Sequence, residues 1–208
     1  MDIRSALRVQ LGIAAAAFAG FLALGAFVTR FPASALDQAG FRWLGIATPL
    51  AVVFTRSGYA PALIGVGIVG IAVALILRAN VAAPILLIAV QFASQLAANA
   101  FKQLYHRARP DAWLFRSELG FSYPSGHAVT AIVFYVGWAL IVWSWPLPKS
   151  ARIAIACTMA LWAVGIGFSR IALGAHHVTD VLGGYLFGTA WLFVFLALAS
   201  LLRSSGSG

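Results

Sequence analysis

An all-α, polytopic membrane fold is what this 208-residue sequence predicts, on three observations. Apolar residues make up 62% of the chain, and Asp, Glu, Lys and Arg together only 9%, against roughly a quarter in soluble domains. The apolar residues gather into six runs of about 20, the length a helix needs to cross the hydrocarbon core. Charges fall between these runs and leave their middles bare. So apolar a chain is also excluded from intrinsic disorder, which requires low hydrophobicity.

Taken in order, residues 9–29 form the first run. Arg4 and Arg8 precede it and Ala33-Ser34-Ala35 follows, as in a secretory signal. Its apolar core exceeds the roughly 7–15 residues of a signal peptide, so it is read as a helix. Residues 31–59 contain Asp37, Arg42, Trp43 and Arg56, with an apolar piece at 44–55 that is too short to cross. That piece is read as an interfacial or re-entrant helix. Residues 60–77 and 82–100 are the second and third spans, joined by the tight turn Arg78-Ala79-Asn80. Residues 126–145, 152–173 and 179–202 complete the six, with a short turn at 146–150. Residues 1–203 are taken as one domain and 204–208 as a flexible tail or cloning scar.

Some patterns carry less than they promise. Gly65, Gly67 and Gly70 spell a dinucleotide fingerprint, but they lie mid-span with no strand before them, so the match is accidental. Gly184 and Gly188, four apart, predict close helix packing. Cys157 stands alone in an apolar run and forms no intramolecular disulfide.

Fourteen Lys and Arg against five Asp and Glu give a net charge of +9. Too little surface meets water for a nucleic-acid face. The excess therefore serves cytoplasmic anchoring, an anionic ligand, or both. Even crossings place both termini on one side, with Arg4, Arg8, Arg78, Lys149, Arg152 and Arg203. The other side has Arg30, Arg42, Arg56, Lys102, Arg107, Arg109, Arg116 and Arg170, more in number but spread over longer loops. Short turns weigh most in the positive-inside rule, so cytoplasmic termini are predicted.

Ionised side chains at a membrane segment cost about 2.5–3.5 kcal/mol or more, which marks such residues as functional. Here they form three groups, all on one side of the membrane. Lys102 and Arg109-Pro110 follow the third span; Tyr123-Pro124-Ser125-Gly126-His127 opens the fourth; Ser169-Arg170, His176 and Asp180 straddle the fifth and sixth. Lys102, Arg109 and Arg170 supply three cations, two of them guanidinium forks suited to tetrahedral oxyanions. Pro124-Ser125-Gly126 reads as a helix start whose free N–H groups favour an anion. Together they make a phosphate cradle. His176 and Asp180, four apart, share a helix face, so the carboxylate can fix the imidazole tautomer and free its other nitrogen as a nucleophile. His127 can protonate the departing oxygen and later activate water. No metal is needed for that two-step transfer.

In order, spacing and position, Lys102–Pro110, Pro124–His127 and Ser169–Asp180 resemble the three signature motifs of the type 2 phosphatidic acid phosphatase superfamily. The resemblance implies a six-helix membrane bundle and metal-independent dephosphorylation through a phosphohistidine, without a cofactor. By it, His176 is the nucleophile, His127 the general acid and Asp180 its orienting partner. Lys102, Arg109, Ser125, Gly126 and Arg170 hold phosphate. Soluble haloperoxidases share the motifs through bound vanadate, but this apolar chain does not look like one.

The expected activity is hydrolysis of a terminal phosphate from an amphiphile: undecaprenyl diphosphate, phosphatidylglycerol phosphate, phosphatidate or a lipid A phosphate. The site would face the periplasm of a bacterial inner membrane. Three rivals stand beside it: a lipid phosphotransferase with the same motifs, an anion transporter, which would need charges along a path through the bilayer, and an inactive lipid-binding scaffold. A metal site at His176, His177 and Asp180 lacks an accompanying thiol or second acid. Arg107 and His106 read as loop residues on the pocket rim, and Asp111 and Glu118 as partners of loop arginines. Asp37, with Arg42, reads as a lid contact or an interfacial helix cap. Trp113, Phe115, Phe121 and Tyr123 read as an interfacial aromatic belt or the lining of a lipid access gap.

Overall fold

The computed structural model describes residues 3–31, 34–44, 48–110, 115 and 118–205. It is helical throughout, with no strand among the described residues. Helix α1 is Ile3–Arg30, α2 Ala35–Leu44, α3 Pro49–Ser57, α4 Ala60–Ile76 and α5 Ala82–Tyr105. The next span, Gly126–Trp143, divides into α6 (Gly126–Thr130), a π-helical turn (Ala131–Val136) and α7 (Gly137–Trp143). Helices α8 (Lys149–Ala172) and α9 (Val178–Ser205) follow, so regular helix covers the start of the expected tail. Residues 206–208 lie outside the described residues.

Among the described residues, five helices are long and apolar enough to cross a bilayer, and α3 with α4 makes a sixth if that bent pair is one span. This is an integral membrane protein. Large apolar side chains such as Ile64, Ile68, Phe92 and Leu161 are exposed on the outer helix faces, where lipid would meet them.

The short helix expected between the first two spans begins later than sequence alone implied, at Pro49. Thr48 is the reason: its hydroxyl caps the Ala51 N–H at 3.1 Å, and proline at the first helical position is preset for the helix. The chain then breaks at Ser57-Gly58-Tyr59 and turns by 64° into α4. A Cβ on Gly58 would run into the His127 imidazole, so glycine is needed there for close approach.

Helix α5 also runs five residues past the expected end at Ala100. The segment Phe101-Lys102-Gln103-Leu104-Tyr105 is made of adequate helix formers, and the helix closes only where His106 turns left-handed at φ 48°, its N–H bonding the Lys102 carbonyl at 3.1 Å. Lys102 is therefore held on the last turn of a helix rather than in the loop behind it.

Tyr123 is no belt residue. It is fully buried, stacked on Phe21 of α1 at 5.4 Å, and its hydroxyl donates to the Phe21 carbonyl at 2.7 Å. The phenol keeps its polar end satisfied while the ring fills the core. Tyr105 and Phe187 extend the cluster, tying α1, α5 and α9 to the loop before α6. Trp113 lies outside the described residues, and Phe115 sits under Arg56.

Helices α6 and α9 touch through the two glycines singled out in the sequence. A Cβ on Gly184 would lie 2.6 Å from the Ser125 carbonyl oxygen, and one on Gly188 2.9 Å from the Ile132 Cβ. Backbone cannot yield as a side-chain tip does. Gly184→Ala should therefore lower stability by about 1–3 kcal/mol, as overpacking does. Gly12→Ala, with nothing within 4 Å, should not. Thermal unfolding of the two variants in detergent checks the contrast.

Candidate active site

One cavity of about 290 Å³ gathers residues from every motif: Lys102, Arg109, Gly126, His127, Arg170 and His176. Asp180 and Ser125 stand behind this lining. Asp180 is fully buried, and its carbonyl accepts the Ser125 N–H at 3.0 Å, which joins the start of α9 to the start of α6. That N–H is thus already committed, while the Ser125 hydroxyl is buried without a partner.

His176 sits in the short turn between α8 and α9, its backbone N–H donating to the Arg170 carbonyl at 3.1 Å. The contacts of its ring define its tautomer. Arg109 Nη1 lies 3.0 Å from His176 Nε2, and a guanidinium only donates, so Nε2 carries a lone pair. The neutral ring then holds its proton on Nδ1, which faces Asp180 Oδ2 at 3.5 Å. Burial pushes the imidazole well below the ordinary histidine range, and the cations Arg109, Arg170 and Lys102 push it further. A neutral imidazole that presents a lone pair can act as a nucleophile, and here Arg109 caps that nitrogen.

Arg109 is anchored by backbone as well as by the ring. It donates to the carbonyls of Gly120 and Ala175, each at 3.0 Å, and Leu119 at 3.3 Å. Lys102 has no hydrogen-bond partner among the described residues, so its ammonium is available to an anion.

Across the cavity, Arg170 is buried on the last turn of α8. It donates to the Thr55 hydroxyl and, at 2.8 Å, to Glu118 Oε1, which also accepts the Tyr59 hydroxyl at 2.8 Å. His127 packs edge-on against Tyr59 at 4.6 Å. Its Nε2 lies 3.2 Å from the Thr55 carbonyl; a carbonyl only accepts, so this nitrogen bears a proton. The two imidazoles are therefore held differently: His176 Nε2 carries a lone pair, and His127 Nε2 carries a proton held on the Thr55 carbonyl.

Sequence reasoning missed four supports of this arrangement. Glu118 pairs with Arg170 of the site, and Asp111 lies outside the described residues. Arg107 is not on the rim but buried, bridging Asp180 at 2.6 Å and Asp37 at 2.8 Å. Asp37 is likewise buried, and Arg107, Thr179 and Ser34 hold it. Burial alone would raise the Asp37 carboxyl, but the Thr179 N–H, the Ser34 hydroxyl and Arg107 hold it below its usual value. Thr55 carried no signal at all. Arg107, by contrast, sits two residues before Arg109, and a second arginine inside a motif could have been weighed as a partner for Asp180. No cluster of three or more His, Cys, Asp or Glu stands in position to hold a metal ion among the described residues.

Residues 82–203 match the PAP2 superfamily, and the chain belongs to it. It is 34% identical over 115 residues to the lipid A 1-phosphatase of Rhizobium johnstonii, covering 50% of this chain and 43% of that one. It is 33% identical over 111 residues to phosphatidylglycerophosphatase B of Bacillus subtilis, covering 53% and 55%. The chain thus spans about half the length of these curated relatives. In structure it superposes, with a TM-score of 0.78 and 26% identity, on the crystal structure of the first transmembrane PAP2 type phosphatidylglycerolphosphate phosphatase from Bacillus subtilis, covering 89% of this chain and 95% of that one.

Glu118 supplies an acid-sensitive element. Burial opposes its ionisation, yet the charge and hydrogen bond of Arg170, with the Tyr59 hydroxyl, hold its pKa down at about 2 from an ordinary 4.5. A carboxyl lowered on folding stabilises fully above its unfolded value and loses that contribution as pH falls through its folded one. Glu118→Gln should therefore unfold at a lower temperature than wild type at neutral pH, with the difference shrinking as pH falls below about 4.5. Paired melting curves across that range check it.

Proposed function

We propose that this protein is a lipid phosphate phosphatase that removes a terminal phosphate by way of a phosphohistidine on His176. The observation that carries the reading is a shared wall. The cationic cavity and an apolar groove of about 370 Å³ between α4 and α5 have Ala60, Leu63, Gln91 and Gln95 in common. Ile64, Ile68 and Phe92 line the groove beyond them. A phosphate at one end and a long hydrocarbon chain at the other match that pair of spaces. The lipid phosphatases among the relatives support the same substrate class.

In the proposed sequence, a lipid phosphate displaces Arg109 from the ring and is held by Arg109, Lys102 and Arg170, with Gly126 leaving room for its approach. His176 Nε2 attacks phosphorus as the bond to the lipid oxygen breaks, and His127, entering the step doubly protonated, gives that oxygen a proton while its Nε2–H stays on the Thr55 carbonyl. Asp180 offsets the positive charge that develops on the ring. Water then attacks phosphorus as the phosphorus–nitrogen bond breaks, while the now neutral His127 takes the water's proton, releasing inorganic phosphate and restoring both histidines. Arg109 also donates to three backbone carbonyls, which hold it beside the ring. Charge stabilisation by preplaced cations is the main source of rate in such a transfer. We place the site on the periplasmic face of a bacterial inner membrane, as the short-turn charges suggest.

Purified protein should release inorganic phosphate from one or more of undecaprenyl diphosphate, phosphatidylglycerol phosphate, phosphatidate and lipid A with no acceptor added and with chelator in excess. His176→Gln should abolish release while the protein stays folded, and vanadate should compete with substrate. Phosphoryl transfer that requires an added acceptor lipid would instead make the protein a phosphotransferase. Substantial turnover in His176→Gln would remove His176 from its role.

A further inference from the structure

Behind the lining of the cavity lies a buried charged network outside the three phosphate-binding motif roles. Arg107 donates from Nη1 to Asp180 Oδ1 and to the Thr179 hydroxyl, each at 2.6 Å, and from Nη2 to Asp37 Oδ2 at 2.8 Å. The Thr179 hydroxyl and N–H in turn donate to Asp37 Oδ1, each at 2.9 Å. All three charged side chains are at most 2% exposed. The His177 N–H donates to Asp180 Oδ2 at 2.8 Å. Asp180 is therefore gripped on both oxygens, with Oδ2 left facing the Nδ1 of His176.

Charge counting gives this network its meaning. One guanidinium stands between two carboxylates, so the set carries one net negative charge. Were Asp180 alone with Arg107, the pair would be neutral and would offer a developing imidazolium little. Asp37 draws on the same guanidinium and leaves the surplus. It reaches the site from α2, a short helix outside the spans, whose Gly40 makes room for Val178 at the start of α9.

We propose that Asp37 and Arg107 are positioning residues: Arg107 aims the Asp180 carboxylate at His176, and Asp37, by sharing Arg107, leaves these side chains with a net negative charge beside that ring. The proposal rests on His176 as the phosphoryl acceptor. It makes α2 part of the catalytic apparatus although none of its described residues lines the cavity. Lysine cannot replace Arg107, because one ammonium cannot reproduce a planar fork bonded to Asp37, Asp180 and Thr179.

The test separates rate from anion binding. Asp37→Asn should lower kcat about tenfold, the scale on which outer-shell partners act, with KM little changed. Its affinity for inorganic phosphate, read by calorimetry, should hold or tighten, because a negative charge has left the neighbourhood. Asp37→Glu should recover part of the rate, and Arg107→Lys should lose kcat with phosphate binding retained. An unchanged kcat in Asp37→Asn, or kcat and phosphate affinity falling together in both variants, would overturn the proposal. Should Asp37→Asn not fold, Arg107→Lys decides alone: full kcat there overturns it. Wild-type turnover with normal variants defeats this inference only. A wild type that releases no phosphate from any lipid defeats the parent reading, and the phosphate titrations would still report the charge that Asp37 contributes.

Discussion

Compensation of buried charge at the edge of the apolar bundle organises this structure. An unpaired ion there is costly, and one left by removing its partner costs more than the pair ever contributed. Arg170 is held by Thr55 and Glu118, and Arg107 by Asp180, Asp37 and Thr179. These partners come from α2, α3, the loop before α6 and the start of α9. Satisfying the charges therefore fixes the relative places of segments far apart in the chain. The pairing that makes the site stable is the same pairing that gives it shape.

Within that frame the two histidines acquire opposite characters from their neighbours. Arg109 can only donate, so it selects the lone-pair face of His176; the Thr55 carbonyl can only accept, so it selects an N–H on His127. Neither assignment needs a special histidine. Gly58 and Gly184 contribute by having no Cβ, which lets α3 and α9 come close enough for these contacts to exist.

Much of this was legible in the sequence. Six apolar runs, the three motif groups on one side and the glycine pair Gly184 and Gly188 all follow from composition and spacing, since bilayer thickness and helix periodicity leave few alternatives. The bend between α3 and α4 was half-visible: residues 44–55 are plainly too short to cross, but that α3 packs under His127 depends on Thr55, whose neighbours are remote in sequence. Asp37 shows the limit most clearly. Its partners Arg107 and Thr179 lie 70 and 142 residues away, and no local pattern pairs them. Tyr123 misled for another reason: aromatic residues near a span end favour the interface, and only the carbonyl of Phe21 allows a phenol to be buried whole.

The account turns on a phosphorus–nitrogen bond at one residue. Protein mixed with lipid substrate carrying a radiolabelled terminal phosphate, quenched within a turnover in alkali, where a phosphoramidate survives, and then digested, measures it directly. Label on the peptide containing His176, and none in His176→Gln, is the predicted result. Full substrate turnover with no label retained on the protein, or label on a different residue, would contradict it.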